Sequence, residues 1–437
     1  MKLRPFELAL VIIFGVFAGI ALILLATNQP GADDKNDTSI IRTPVEIWGT
    51  LPEAAVTSVL DSLSLSNESF RQVSYRYVDP TSFDNALTNA LADGVGPDLL
   101  LVSHEQLVDQ RRRLQPFSYE TYPLRDFRSR YVDGAELFAR NDGIYALPIA
   151  IDPLMLYYNR NILSNAGFLK PPATWEELIT TQFPTLIERD FDRTIFRSVV
   201  AMGEYENIRN AFGMLSALLL QGGSGGVTEE SDGAYRIRLQ EQTGGENDPL
   251  RSAADFYVRF SKPSNTLYSW NRSFTEDRAQ FVSEDLVFYF GYGSEARDIE
   301  RLNPNLNFDI AEIPQGATAT VRRTYGRFYG LSALRSSDNL TGAYTAMTIL
   351  GALEQTTALA LAADMVPAYR EAIAAGSNDT YGRLTFMSAA VAYGWLNPDI
   401  NATNDILETM TRDINENRRD VTSAANDAVR RLQLEYN

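Results

Sequence analysis

Apolar and polar positions along this chain fall into blocks with different periods. Leu8 to Ala26, LALVIIFGVFAGIALILLA, carries no charge over nineteen residues. As a helix it would measure about 28 Å against a hydrocarbon core of about 30 Å, so it is long enough to span a membrane. The next stretch, Asn28 to Thr43, is rich in Asn, Asp, Gly and Thr and reads as a flexible tether. From Val45 the pattern changes to alternating strand and helix signals. Val45-Glu46-Ile47-Trp48 reads as a strand, and Thr50-Leu51-Pro52-Glu53 as a capping box leading into a helix over Ala54 to Leu63. Gln72 to Val78 alternates as a second strand, and Phe83 to Leu91 has apolar residues at helical spacing. Leu99-Leu100-Leu101-Val102 is a continuous apolar run suited to a buried parallel strand, closed by a capping arrangement of Ser103 and Gln106.

Gly143 to Leu178 reads as a strand, then a helix, then a capped helix. Thr174 and Glu177 have T-x-x-E spacing, and Pro171 and Pro172 oppose helix upstream, so a helix is predicted to start near Trp175. Asp152 is the only charge between Asp142 and Arg160. An isolated carboxylate in an apolar strand must find hydrogen-bond donors or a cation, or stay at a water-filled cleft. Asn207 to Phe260 reads as helix, loop, helix, with Gly222-Gly223-Ser224-Gly225-Gly226 and Thr243 to Asp248 as loops. Thr341 to Ala362 reads as one long Ala-rich helical stretch. Alternating strands and helices over roughly 390 residues predict an α/β fold of two lobes.

These motifs, in this order, resemble the family 1 extracellular solute-binding proteins of ABC importers, the maltose-binding-protein-like class. The carriers are Gly143 to Pro148 with Leu156-Tyr157-Tyr158-Asn159, the Gly96-Pro97-Asp98 strand, and Phe281 to Tyr292 with Phe308 to Pro314. Tyr325 to Leu331 and Met365-Val366-Pro367 complete the set. At Glu284-Asp285-Leu286-Val287 the chain departs from the family, which has Gly and small residues there. The resemblance implies a two-lobed periplasmic-binding-protein fold of the class II type. Residues 44–149 and 315–364 would form the N-terminal lobe, and 150–314 and 365–437 the C-terminal lobe. Hinges are expected near 149–153, 312–318 and 363–367. It also implies capture of a small solute, a carbohydrate being favoured, and its delivery to ABC permease subunits.

Charge and composition narrow the setting. Lys2 and Arg4 precede the apolar segment and Asp33, Asp34 and Asp37 follow it, so residues 1–7 are placed in the cytoplasm, 8–26 in the membrane, and the tether 27–43 and the lobes outside. A cleaved signal peptide has the same polarity, but its apolar core is usually shorter, and no A-x-A site follows here. The net charge of −17 disfavours nucleic acid as a partner. With no cysteine and one histidine, disulfides, thiol chemistry and a lipidated cysteine tether are excluded, and a metal site or other cofactor is not expected. Gly222 to Gly226 matches G-x-S-x-G formally, yet His104 precedes it and no strand leads into it, so a serine hydrolase is rejected. A glycan-active enzyme, or a membrane-anchored sensor or scaffold without transport, are the rival classes.

A sugar site combines aromatic faces with carboxylates near strand ends. On that basis and the resemblance, the candidate ligand-binding residues are Asp152, Tyr292, Glu105, Trp270, Tyr329 and Tyr369. His104 reads as a helix-terminal residue, and Trp48, Trp175 and Trp395 as packing.

Overall fold

The computed structural model describes residues 41–436 apart from 42 and 193. The expected anchor over Leu8 to Ala26 and nearly all of the tether lie outside the described residues. Among the described residues no helix is long and apolar enough to cross a membrane.

Strand β1 (Val45–Gly49) leads into α1 (Glu53–Ser66), β2 (Val73–Tyr77), α2 (Phe83–Ala92) and β3 (Leu99–Ser103). Both β2 and β3 pair with β1 in parallel. Leu99 and Leu101 enter the apolar cluster on one face of this sheet, and Leu100 and Val102 enter the cluster on the other. Burial on both faces is what a continuous apolar run requires.

The long strand β4 (Leu147–Asn159) joins two packed units. Leu147 to Pro153 pair with β10 (Thr324–Leu334), which also pairs with β3. Leu154 to Asn159 pair with β8 (Leu286–Tyr292) and β9 (Phe308–Glu312). The second unit also holds β5 (Ile195–Val200), parallel to β8, and the helices α3 (Ala211–Gln221) and α4 (Pro249–Val258). Its core is drawn from Leu154, Tyr157, Leu215, Trp270 and Phe288, among others. After β10 come α5 (Leu340–Leu350), α6 (Leu353–Ala362) and β11 (Val366–Pro367), which returns to β4. The chain ends in α7 (Gly382–Ala390), α8 (Ile400–Asn415) and α9 (Val421–Glu435). Two segments thus link the units, β4 and residues 313–323, whereas at the third expected hinge Ala363 and Met365, and then Val366, Ala368 and Tyr369, all stay in the first unit's clusters. The final segment packs on both, since Phe386 and Leu396 join the first unit and Trp395 and Leu407 the second.

Several local expectations are corrected. Thr50 does not cap α1; its amide donates to the Leu101 carbonyl at 3.2 Å, which ties it to β3, and Pro52 takes the N-cap position. Ser103 makes no cap bond, because β3 runs through it to pair with Tyr329. The 341–362 stretch is two helices broken at Gly351, where an added Cβ would meet Leu147 Cδ1 and the Met347 carbonyl, both at 2.8 Å. Residues 221–249 hold more than loops: β6 (Val227–Glu229) and β7 (Tyr235–Ile237) form an antiparallel hairpin. Only half of the Thr174 box forms: the Thr174 hydroxyl accepts from the Glu177 amide at 3.1 Å, while the Glu177 carboxylate accepts from the Ala173 amide at 2.9 Å, one residue before the cap. Glu284, in the stretch that departs from the resembled pattern, stands at φ 69°, a conformation that favours glycine. Its carboxylate accepts from Asn159 Nδ2 at 2.9 Å.

Candidate functional site

Where β4 and β10 cross between the units, side chains from both gather in one polar cluster. Asp152 on β4 stands opposite Arg327 on β10. Tyr325, Arg327 and Tyr329 alternate along β10 and so share one face. The end of β3 delivers His104 and Glu105, and the end of β8 delivers Tyr292 and Ser294.

Glu105 is the acceptor at one side. Its Oε1 takes the Tyr325 hydroxyl at 2.6 Å and Arg327 Nε at 3.2 Å. Burial pushes its carboxyl up, but Arg327, His104 and the Tyr325 hydroxyl outweigh that and hold it below the usual range. The Arg327 guanidinium lies 4.1 Å from the centre of the Tyr292 ring, a stacking distance for a cation on an aromatic face. A third of the Arg327 side chain, 33%, is exposed, against 7% for Glu105. Tyr329 lies within electrostatic reach of Arg327, Asp152 and Glu105.

Asp152 is 2% exposed. Its Oδ1 accepts from the Ser294 amide at 3.0 Å and its Oδ2 from the Ser294 hydroxyl at 2.6 Å. Burial pushes its pKa up to about 7 despite those two bonds. An added Cβ at Gly293 would lie 2.9 Å from Thr385 Cγ2 and 3.6 Å from Asp152 Oδ1. Gly293 and Thr385 also line a groove of about 240 Å³ with Arg297, Asp364, Tyr381 and Phe386, so the carboxylate sits just behind its wall.

His104 is helix-terminal, as expected, opening the short helix His104–Gln106. It is fully buried, its Nδ1 accepts from the Phe328 amide at 3.2 Å, and burial lowers its pKa to about 4, so it is neutral at physiological pH. Gly394 presses on it: an added Cβ would lie 2.3 Å from His104 Nε2 and 2.9 Å from Leu137 Cδ1. Gly394→Ala is therefore expected to cost about 1–3 kcal/mol through overpacking, measured as a lower urea midpoint at unchanged slope. A neutral result would mean that the His104 ring is free to shift.

The Tyr292 hydroxyl is buried without a hydrogen-bond partner. It points at the first turn of α3, where an added Cβ at Gly213 would come within 2.7 Å of it. Phe212 on that turn meets the Tyr325 ring edge-on at 5.5 Å, and the Trp395 ring lies 5.6 Å from Phe212.

Of the six candidates, Asp152, Glu105, Tyr292 and Tyr329 meet in this cluster. Trp270 stands apart in the core of the second unit, where Nε1 donates to Asn207 Oδ1 at 3.0 Å and the ring packs on Phe274. Tyr369 also stands apart; its hydroxyl donates to the Gly351 carbonyl at 2.6 Å and its ring packs against Tyr131. Arg327, Tyr325, Ser294 and His104 are not among the six candidates. The i, i+2, i+4 spacing of Tyr325, Arg327 and Tyr329 on one strand face was the available signal. Ser224 follows helix α3 rather than a strand, as expected of a glycine loop. Among the described residues no group of three His, Cys, Asp or Glu is placed to hold a metal ion.

No family model matches the sequence. Two curated relatives, from Brucella abortus (strain 2308) and Brucella suis biovar 1 (strain 1330), are each 25% identical to it over 167 residues. The match covers 38% of this chain and only 38% of either relative's length. The fold is similar to that of a cyclo/maltodextrin-binding protein complexed with maltotetraose, with a TM-score of 0.70 at 16% identity over 93% of this chain and 98% of that one. It is also similar to an ABC transporter solute-binding protein from Thermotoga lettingae TMO bound with α-D-tagatose, with a TM-score of 0.67 at 17% identity over 90% of this chain and 100% of that one. The chain therefore has the two-unit α/β fold of periplasmic-binding-protein-like structures.

Proposed function

We propose that this chain is an extracytoplasmic solute-binding protein that captures a small carbohydrate between its two lobes and delivers it to an ABC permease. The apolar segment Leu8 to Ala26 would hold it to the membrane. The observation that carries the reading is the polar cluster at the seam, to which both units contribute. Glu105 and Arg327 supply an acceptor and a donor, Asp152 a second acceptor, and the buried Tyr292 hydroxyl a group still without a partner. Sugar hydroxyls suit such a set, and Tyr292, Tyr325 and Phe212 supply aromatic surface for the apolar face of a ring. The sugars bound by the two structural neighbours support a carbohydrate, and their being binding proteins supports capture without turnover. A ligand touching both lobes would favour the closed state only by its extra affinity for that state, with bending near 149–153 and 312–318.

A thermal-shift screen against mono- and oligosaccharides, polyols, amino acids and phosphorylated solutes tests this. A ligand at about 100 times its Kd should add about 2.7 kcal/mol, which moves Tm by several degrees. A shift confined to carbohydrates is expected, and Asp152→Ala should weaken it about tenfold or more while the protein stays folded. Silence across a panel that shifts a control binding protein would discard capture.

One observation favours a second reading, a membrane-anchored sensor or scaffold. Arg327 already covers the Tyr292 face and pairs with Glu105, so capture must first displace that guanidinium. Copurification of a permease with the full-length chain would reject it.

A further inference from the structure

The hairpin β6–β7 belongs by its base to the second unit and by its tip to the first. At the base, Ile237 and Leu239 enter the second unit's core. Helix α9 and Tyr436 just after it hold β7 along its length: the Ile237 amide donates to Gln433 Oε1 at 3.0 Å, Gln433 Nε2 to the Tyr235 carbonyl at 2.9 Å, and the Tyr436 and Tyr235 rings lie 5.4 Å apart. At the tip, Glu229 meets Arg111 in an ion pair at 2.6 Å, with only 3% and 16% of the two side chains exposed. Arg111 also donates to the Tyr235 hydroxyl at 2.7 Å and to Asp142 at 2.9 Å, between the Tyr145 and Tyr235 rings at 5.1 and 5.6 Å. The Asn141 amide donates to Glu229 Oε2 at 3.1 Å, and its side chain to the Glu230 carbonyl at 2.8 Å.

This network differs from the exposed ion pairs elsewhere on the chain. Glu229 is nearly enclosed, so separating the units would leave its charge without the partner that offsets its lost hydration. The hairpin is flanked by Gly222-Gly223 and Gly225-Gly226 on one side and Gly244-Gly245 on the other, and Gly223, Gly226 and Gly244 have φ of 75°, 63° and 77°. Those glycine stretches give the strap pivots at its root. It also joins two ends of the seam cluster, for α3, which abuts Tyr292, leads to it through the glycine loop 222–226, and Arg111 lies six residues beyond Glu105.

We propose that the β6–β7 hairpin is a strap that fastens the second lobe to the first, with the Arg111–Glu229 pair setting how often the seam opens. The proposal rests on the two lobes moving relative to one another and not on any ligand.

The absence of cysteine makes it directly measurable. Ser62→Cys on α1 and Ser252→Cys on α4, both exposed, carry spin labels in the full-length chain without ligand. Double electron–electron resonance should give one narrow inter-lobe distance. Arg111→Ala should raise the share of longer distances on the order of tenfold, and Glu229→Gln should move it the same way by less. Arg259→Ala, which removes an ion pair with Asp255 at the C-terminal end of α4, should leave the distribution alone. If Arg111→Ala does not fold, Glu229→Gln decides. Parent-like distances in every folded strap variant would overturn the proposal, whatever the ligand screen shows.

Discussion

Arg327→Ala is expected to lower stability by about 2–4 kcal/mol and to remove ligand capture together with it. Breaking a buried ion pair from one side costs about 3–5 kcal/mol, because the remaining charge keeps its desolvation penalty without its partner. The figure is reduced here because a third of the Arg327 side chain still meets solvent, and because the Tyr325 hydroxyl continues to serve Glu105. Glu105 itself is almost enclosed, so it is the group that suffers. With the guanidinium gone, burial prevails and the Glu105 carboxyl rises toward protonation. Equilibrium urea unfolding of Arg327→Ala, Glu105→Gln and the double variant measures the coupling. The double variant should lose clearly less than the sum of the singles. Arg327→Lys should restore only part, since a lysine cannot keep both the planar stack on Tyr292 and the Nε bond. Additive losses would show that the two charges do not depend on each other, and the cluster would then be a set of separate contacts.

The same residues show what the sequence disclosed and what it withheld. β3 was legible because burial on both faces leaves a continuous apolar run, and the Thr174 cap was legible because every partner lies within four residues. Thr50 had the same spacing and failed, since its amide is claimed by Leu101, fifty-one residues away, and no local pattern records that claim. The hairpin strands are three residues each, too short to show a period, and the glycines around them read only as loop. In the cluster, Asp152 drew notice as an isolated charge in an apolar strand. Arg327 sits 222 positions from Glu105, and Ser294 142 from Asp152, so their pairing depends on how β10 and β8 lie against β4. Trp270 and Tyr369 carry the same aromatic chemistry as Tyr292 but turn into cores, a choice made by packing around them.

Asp152→Asn is expected to become progressively stabilising relative to the parent as pH rises from about 4 to about 8. In an unfolded chain an aspartate titrates near 3.8, whereas burial in the seam moves this one to about 7. Between those values the folded protein holds a proton that the unfolded chain has released, so the parent loses stability as pH rises, and the loss is complete above the folded pKa. A shift of this size corresponds to roughly 4 kcal/mol at most. Asparagine is never ionised and keeps an acceptor for the Ser294 amide, so the variant escapes that loss. Asp277, pushed by burial to about 8, slopes the same way in both proteins. His104, depressed to about 4, slopes the opposite way below about 6.5, again in both. The difference between parent and variant therefore isolates Asp152. Urea midpoints at pH 5, 6, 7 and 8 should diverge through pH 7, and parallel curves would mean that the carboxylate is solvated at the seam. A carboxyl that the fold tolerates at a cost in ionised form is one whose charge would gain from a ligand hydroxyl, which ties this measurement to capture.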